Sequence, residues 1–79
     1  MALPGRIAID PAVCGGRPHF AATRIPVYVV LEMLANHEAQ EEILTELPDL
    51  TAADLTHAIE YARDVAAIPR QSPVAAARG

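Results

Sequence analysis

The segment that decides the fold runs from residue 39 to residue 67 and reads AQEEILTELPDLTAADLTHAIEYARDVAA. Its apolar spacing predicts two helices separated by a short break. Glu38, Glu41 and Glu42 load the start of the first with negative charge, which favours the positive end of a helix dipole. Ile43, Leu44 and Leu47 form its apolar stripe. Pro48 ends it, because the residue before a proline is pushed away from helical angles. Thr51 is a cap for the second helix, and Asp54 three residues later makes a variant of the capping box. Leu55, Ala58, Ile59, Ala62 and Val65 recur at helical spacing and predict one buried stripe. Pro69 closes the helix.

Upstream, Pro26 suits the first turn of another helix, since its missing N–H is not needed there. Val27, Val30, Leu31 and Leu34 supply the stripe over 27–35. Asn36-His37 marks a stop, with Asn36 as the residue that tolerates the left-handed conformation. Before Pro26 the pattern is strand-like. Residues 6–9 (RIAI) alternate and end at Asp10-Pro11. Gly15-Gly16 and Arg17-Pro18 break the chain, and His19-Phe20 with Thr23-Arg24-Ile25 predict two very short strands around a tight turn. The expected class is mainly α: a β arm over 1–26, a three-helix, helix-turn-helix-like body over 27–68, and a flexible tail over 69–79.

Seventy-nine residues make one small domain. Of 41 apolar residues 16 are alanine, leaving 25 larger side chains for a core. That is thin for a monomer, and small scaffolds often add a second copy, so a homodimer is expected. One cysteine cannot make an internal disulfide, and three scattered histidines give no zinc spacing. No apolar run approaches the ~18 residues of a membrane span, and residues 1–10 lack the apolar stretch of a signal peptide. A reducing, cytoplasmic setting is the expectation.

Charge is segregated. Residues 1–26 carry Arg6, Arg17 and Arg24 against Asp10; residues 27–68 carry Arg63 against nine acids; residues 69–79 carry Arg70 and Arg78 and no acid. There is no lysine, and the formal net charge is −4. A simple phosphate-binding protein should be basic. An acidic middle fits a protein that presents a negative face to a basic partner. A solvated acidic helical face fits the same pattern.

Catalytic constellations are weak. His19, His37 and His57 fall in three different segments. Cys14 needs a base within hydrogen-bond reach, and His19 is the nearest candidate in sequence. Gly15-Gly16 lacks the lysine and Ser/Thr of a phosphate loop and serves better as a sharp turn. Neither a metal nor a cofactor is expected, and no enzyme activity. The helical pair has helix-turn-helix dimensions, in which the second helix of the pair enters the major groove. Candidate DNA contacts are then Thr51, Thr56, His57 and Arg63 on that helix, with Arg17 and Arg24 of the arm as phosphate clamps. Asp54 and Glu60 would face phosphates unfavourably. Packing of three helices into a simple core explains the same spacing.

Several motifs stand in a recognisable order: Asp10-Pro11, Gly15-Gly16-Arg17-Pro18, Thr23-Arg24-Ile25-Pro26-Val27, Glu41-Glu42-Ile43-Leu44, Pro48-Asp49-Leu50-Thr51, Asp54-Leu55, and Ala58 with Tyr61-Ala62. Over about residues 7–66 the chain resembles the domain-of-unknown-function family 433. The resemblance implies a homeodomain-like or winged-helix-like domain with an N-terminal β element. It further implies likeness to VapB-type antitoxins, partnered with a PIN-like ribonuclease toxin. Four positions depart from the family pattern. Ala21-Ala22 stand where a basic residue and glycine are usual, His37 where glycine is common, and Ala39 where serine is common. An antitoxin would present Glu38, Glu41 and Glu42 to the basic surface of such a nuclease, and Arg70 or Arg78 to its carboxylates. It would bind operator DNA as a dimer. Three alternatives stand beside it: a stand-alone helix-turn-helix regulator, a dimeric interaction module without nucleic acid, and an enzyme built on Cys14 and His19.

Overall fold

The computed structural model describes residues 3–67. Two short strands, β1 (Ile7–Ala8) and β2 (His19–Phe20), precede three helices, α1 (Val27–Ala35), α2 (Gln40–Glu46) and α3 (Ala52–Ala67). The expected mainly helical domain with a small β element is present. The tail predicted over 69–79 lies outside the described residues.

β1 and β2 pair antiparallel, with Ile7 opposite Phe20 and Ala8 opposite His19. The second flank of β2 meets the segment before α1: Phe20 N–H donates to Ile25 O (3.1 Å) and Val27 N–H to Pro18 O (2.9 Å). The expected turn therefore forms, and β2 lies between both neighbours. Thr23 closes it. Its hydroxyl donates to Phe20 O (2.6 Å) and accepts from Ile25 N–H (3.0 Å), while its own N–H reaches Phe20 O (3.0 Å). Pro26 is extended and stands at the N-cap of α1, just outside its first turn, and the helix runs over Val27–Ala35, the span of the predicted stripe.

The arm is built into the core. Phe20, Val27, Val30 and Ile43 are fully enclosed, and Ile7, Met33, Leu50, Leu55 and Ala58 surround them. Half of the predicted α3 stripe is corrected. Leu55 and Ala58 are buried, but Ile59 is 51% and Val65 48% exposed. Tyr61 packs on the core cluster in their place. A sixteen-residue helix is about 24 Å long; Val65 lies in its last turns, past the body, whereas Ile59, between buried Ala58 and core-packed Tyr61, is exposed because it stands off the buried face.

The stop of α1 also differs in detail. His37, not Asn36, takes the left-handed conformation (φ +64°). Glu38 N–H donates to Met33 O (3.1 Å) and His37 N–H to Leu34 O (2.9 Å), the bond pair of a Schellman cap. Ala22 is left-handed too (φ +66°), at the third position of the 20–23 turn. Both sites suit glycine, because a Cβ in this region costs about 1–2 kcal/mol. Ala39 is the N-cap of α2 and has no side-chain oxygen to offer; only Glu42 Oε1 returns to the Ala39 N–H (2.8 Å).

The start of α3 forms the expected reciprocal box. Thr51 N–H donates to Asp54 Oδ2 (2.9 Å) and Asp54 N–H to Thr51 Oγ1 (3.3 Å). Asp54 is buried, and Arg6 grips it bidentately: Nε to Oδ1 at 3.0 Å and Nη2 to Oδ2 at 2.8 Å. The same guanidinium donates to Ala21 O (3.1 Å) and Asp49 O (2.7 Å). The Arg6 hydrogen bonds hold the Asp54 carboxyl below its usual range, against the opposing effect of burial.

Two predictions follow from these contacts. Arg6→Ala leaves a buried carboxylate short of its main partner and should cost about 2–4 kcal/mol at neutral pH. A depressed carboxyl stabilises the fold above its unfolded pKa of about 3.9 and loses that contribution as pH falls through the folded value. The gap between wild type and Arg6→Ala in urea unfolding should therefore shrink from pH 7 to pH 3; an equal gap at both would refute the assignment. Ala22→Gly and His37→Gly should each raise stability by about 0.5–1 kcal/mol, the left-handed strain released less the extra entropy of an unfolded glycine. Thermal unfolding would show this as a midpoint several degrees higher.

Candidate partner-binding surfaces

Three surfaces gather the polar and aromatic residues that the core leaves outside. The first is acidic. Glu41, Glu42 and Glu46 lie on α2 and Glu38 just before it. Among the described residues none of these four has a basic side chain within ion-pair distance; the ion pairs present are Arg6–Asp54 and Arg63–Asp64. The Glu38 carboxyl is pushed above its ordinary value, first by partial burial, then by the Glu46 carboxyl beside it, then by Glu42. Glu42 divides its carboxylate between this cluster and the α2 cap.

The second surface holds the candidate DNA contacts, and they are not gathered at one place. Thr51 and Thr56 are exposed near the start of α3. The Thr51 hydroxyl already accepts from Asp54 N–H, and the Thr56 hydroxyl leans on Ala52 O at 3.4 Å. His57 turns away from that face and packs against the Gly5 backbone, its Nδ1 buried without a partner among the described residues. Arg63 is exposed but paired with Asp64 at 3.0 Å. Arg24 lines an open cavity of about 660 Å³ beside the α2–α3 turn, with Asp10, His19, Thr23 and Asp49. Arg17 lies elsewhere, its guanidinium 5.6 Å from the centroid of the Tyr28 ring. The expectation that Asp54 faces phosphates is corrected: Asp54 points inward to Arg6. Arg70 and Arg78 lie outside the described residues.

Cys14 and His19 do not bond each other. Cys14 Sγ donates to Arg24 O (3.3 Å), and His19 Nδ1 lies 3.4 Å from Arg17 O. Among the described residues no group of three or more His, Cys, Asp and Glu side chains is placed to hold a metal. No described helix is long and apolar enough to cross a membrane.

The third surface escaped the sequence reading. Tyr28 is half exposed and faces an apolar groove with Pro18, Leu31 and Tyr61. Its only sequence signal was one tyrosine on each of two helices, which says nothing about their meeting.

A helical trio fastened by a two-strand arm through an arginine–carboxylate clasp defines a small three-helix class. The chain belongs to the family described as "Protein of unknown function (DUF433)", which matches residues 7–62. A solved structure described as the crystal structure of a DUF433 member protein from Anabaena variabilis ATCC 29413 is similar to it, at 37% identity and a TM-score of 0.71. The similarity covers 75% of this chain and 58% of that one, so this chain spans little more than half of that relative's length. No curated protein matches.

The raised Glu38 carboxyl sets a test opposite in sign to that of Asp54. A carboxyl raised in the folded state contributes stability below its unfolded pKa and loses it as pH rises through the folded value. Glu38→Gln should therefore raise the thermal midpoint at pH 7 and leave it unchanged near pH 3. A lower midpoint at pH 7 would show that the Glu38 charge supports the fold.

Proposed function

We propose that the chain is a non-catalytic regulator of the antitoxin type. Its acidic face, Glu38, Glu41 and Glu42 with Glu46, docks on the basic surface of a PIN-like ribonuclease toxin, and as a dimer it binds operator DNA. The observation that carries this reading is the crowd of carboxylates at residues 38–46, which lacks a basic neighbour among the described residues; after partial burial, its Glu46 and Glu42 carboxyls add to the upward push on Glu38. Such crowding works against the isolated fold and is relieved when a positive surface arrives. A nuclease that attracts RNA must carry such a surface. Arg70 and Arg78 are the groups proposed to reach its carboxylates.

The DNA half of the proposal is supported by the inward turn of Asp54. With that charge inside, the exposed residues at the start of α3 (Thr51, Ala52, Ala53 and Thr56) carry no acid, and Arg24 stands by the preceding turn. Two protomers double this small footprint, as helix-turn-helix dimers do. The Arg63–Asp64 pair favours a second reading, an interaction module without nucleic acid, because it neutralises the α3 arginine.

Co-expression with the neighbouring gene product, followed by co-purification and a mass measurement, tests the first half. Glu41→Lys with Glu46→Lys should slow association with the toxin about tenfold at low salt, and the difference should vanish at high salt. Unchanged association would sink the acidic-face reading. For the second half, promoter DNA should bind with affinity that falls steeply as salt rises. Failure to bind at low ionic strength would leave the interaction module.

A further inference from the structure

Between α1 and the second half of α3 lies a groove of about 330 Å³, lined by Arg17, Pro18, Val27, Tyr28, Leu31 and Tyr61. Its walls are apolar but for the two phenol groups and the Arg17 guanidinium, which sits 5.6 Å from the centroid of the Tyr28 ring. Tyr28 is 50% exposed, and Val65, one helical turn beyond Tyr61, is 48% exposed. We infer that this face is the contact between two copies of the chain, packed about a two-fold axis with their α1 helices antiparallel. The inference deepens the dimer clause of the proposed function and rests on that clause alone; toxin and operator do not enter it.

The charges around the groove are arranged as a two-fold contact requires. In such a contact one patch must complement itself, residue i meeting residue j and j meeting i. Tyr28 and Glu32 are four residues apart on α1, so they stand on one side of the helix, about 6 Å apart along its axis. Arg17 stacks at the Tyr28 position. Arg17 and Glu32 are both exposed, and neither forms an ion pair among the described residues. The patch therefore carries a cation at one end and an anion at the other. Turning a copy by 180° about an axis midway between Tyr28 and Glu32 lays each Arg17–Tyr28 stack over the partner's Glu32, twice per dimer. A parallel pairing of the two α1 helices would instead set like charge against like.

Apolar surface supplies the attraction. Among the described residues the core holds nine buried apolar side chains, few for a domain that must offset its own chain entropy, and a second copy adds what is missing. Tyrosine suits such a contact, since it brings a large apolar face with a polar tip. Leu31 lies beside the axis, and Val65 extends the apolar surface past Tyr61. The α2 carboxylates, the main obstacle to self-association in a chain of net charge −4, do not line the groove. With α1 only nine residues long, the contact belongs with the smaller specific interfaces, below about 1,200 Å² in total, and a dissociation constant on the order of 10 μM is expected.

Sedimentation of the full chain over about 1–500 μM tests this, with the mass rising toward that of two chains across the range. Arg17→Glu and Glu32→Arg should each raise the dissociation constant about tenfold or more, because each variant faces like charge twice per dimer. Mixed one to one, the two variants should associate again, since each supplies the charge that the other lacks. Tyr28→Ala should abolish association at every concentration in the range while the helical circular dichroism stays that of the wild type. A wild-type chain that remains monomeric throughout overturns the inference and removes the dimer clause with it. A dimer unmoved by Tyr28→Ala, or by both charge variants, overturns the inference alone, since the copies then meet elsewhere. Two charge variants that stay apart when mixed overturn it as well.

Discussion

Arg6 and Asp54 are 48 residues apart in sequence, and their pairing determines how the rest of the molecule is joined. One guanidinium ties together four separate places: the turn before β1, where Arg6 sits, the 20–23 turn through Ala21 O, the α2–α3 turn through Asp49 O, and the first turn of α3 through Asp54. A carboxylate so enclosed would be costly alone. Here it receives two guanidinium bonds and the Thr51 N–H, at the end of a helix where the dipole favours negative charge. The neighbouring Gly5 is drawn into the same joint. It is left-handed (φ +54°), and any Cβ there would collide with the His57 ring. The strand arm is thus held by polar geometry at Arg6 and by apolar packing at Ile7 and Phe20.

Much of this was legible in the sequence, for reasons that are local. Thr51 and Asp54 stand at capping-box spacing, and the box needs no tertiary partner to form. Thr23-Arg24-Ile25-Pro26-Val27 encodes a hydroxyl that closes a turn and a proline that fixes the entry to a helix. Pro48 and the Glu41–Glu42 pair bound α2 as expected. The failures are non-local. Periodicity puts Ile59 and Val65 on the apolar side of α3, but it cannot say how the helix is turned against the body at Ile59 or that the body has ended by Val65. Arg6 read as one charge of a basic arm, because nothing in residues 1–10 points to a carboxylate 48 positions away. The groove of Tyr28 and Tyr61 depends on how α1 crosses α3, which no single segment contains. Asn36 was preferred to His37 on residue type, whereas the bond pair to Met33 and Leu34 sets the left-handed position one residue later.

Local conflict is concentrated at a few backbone positions. Ala22 and His37 hold backbone angles better suited to glycine, and Ala39 caps a helix without a side-chain acceptor. Strain and a missing cap are each worth on the order of 1 kcal/mol, against a total stability that small domains keep to several kcal/mol. To this is added the carboxylate crowd at Glu38. Each of these deficits is a reason for the free chain to gain from being bound, since anything that binds the folded state alone adds to its stability by mass action.

The placement of Asp54 also changes what α3 can meet. Counted from the sequence, the helix offers Asp54, Glu60 and Asp64 against Arg63, and a polyanion should avoid it. In the fold Asp54 is neutralised inside by Arg6, and Asp64 is neutralised outside by Arg63. What remains on the exposed first turns is nearly uncharged, while α2 beside it stays strongly negative. The two adjacent surfaces therefore differ in electrostatic character. On the proposed function, a basic protein would dock at α2, and nucleic acid would approach by the start of α3 and the Arg24 loop, with the α2 carboxylates turned from the phosphates or covered by a partner. Covering them first lowers the repulsion that the second ligand meets. Under the proposed function, such an order of assembly would follow from screening of like charge alone and would require no change in the shape of the chain.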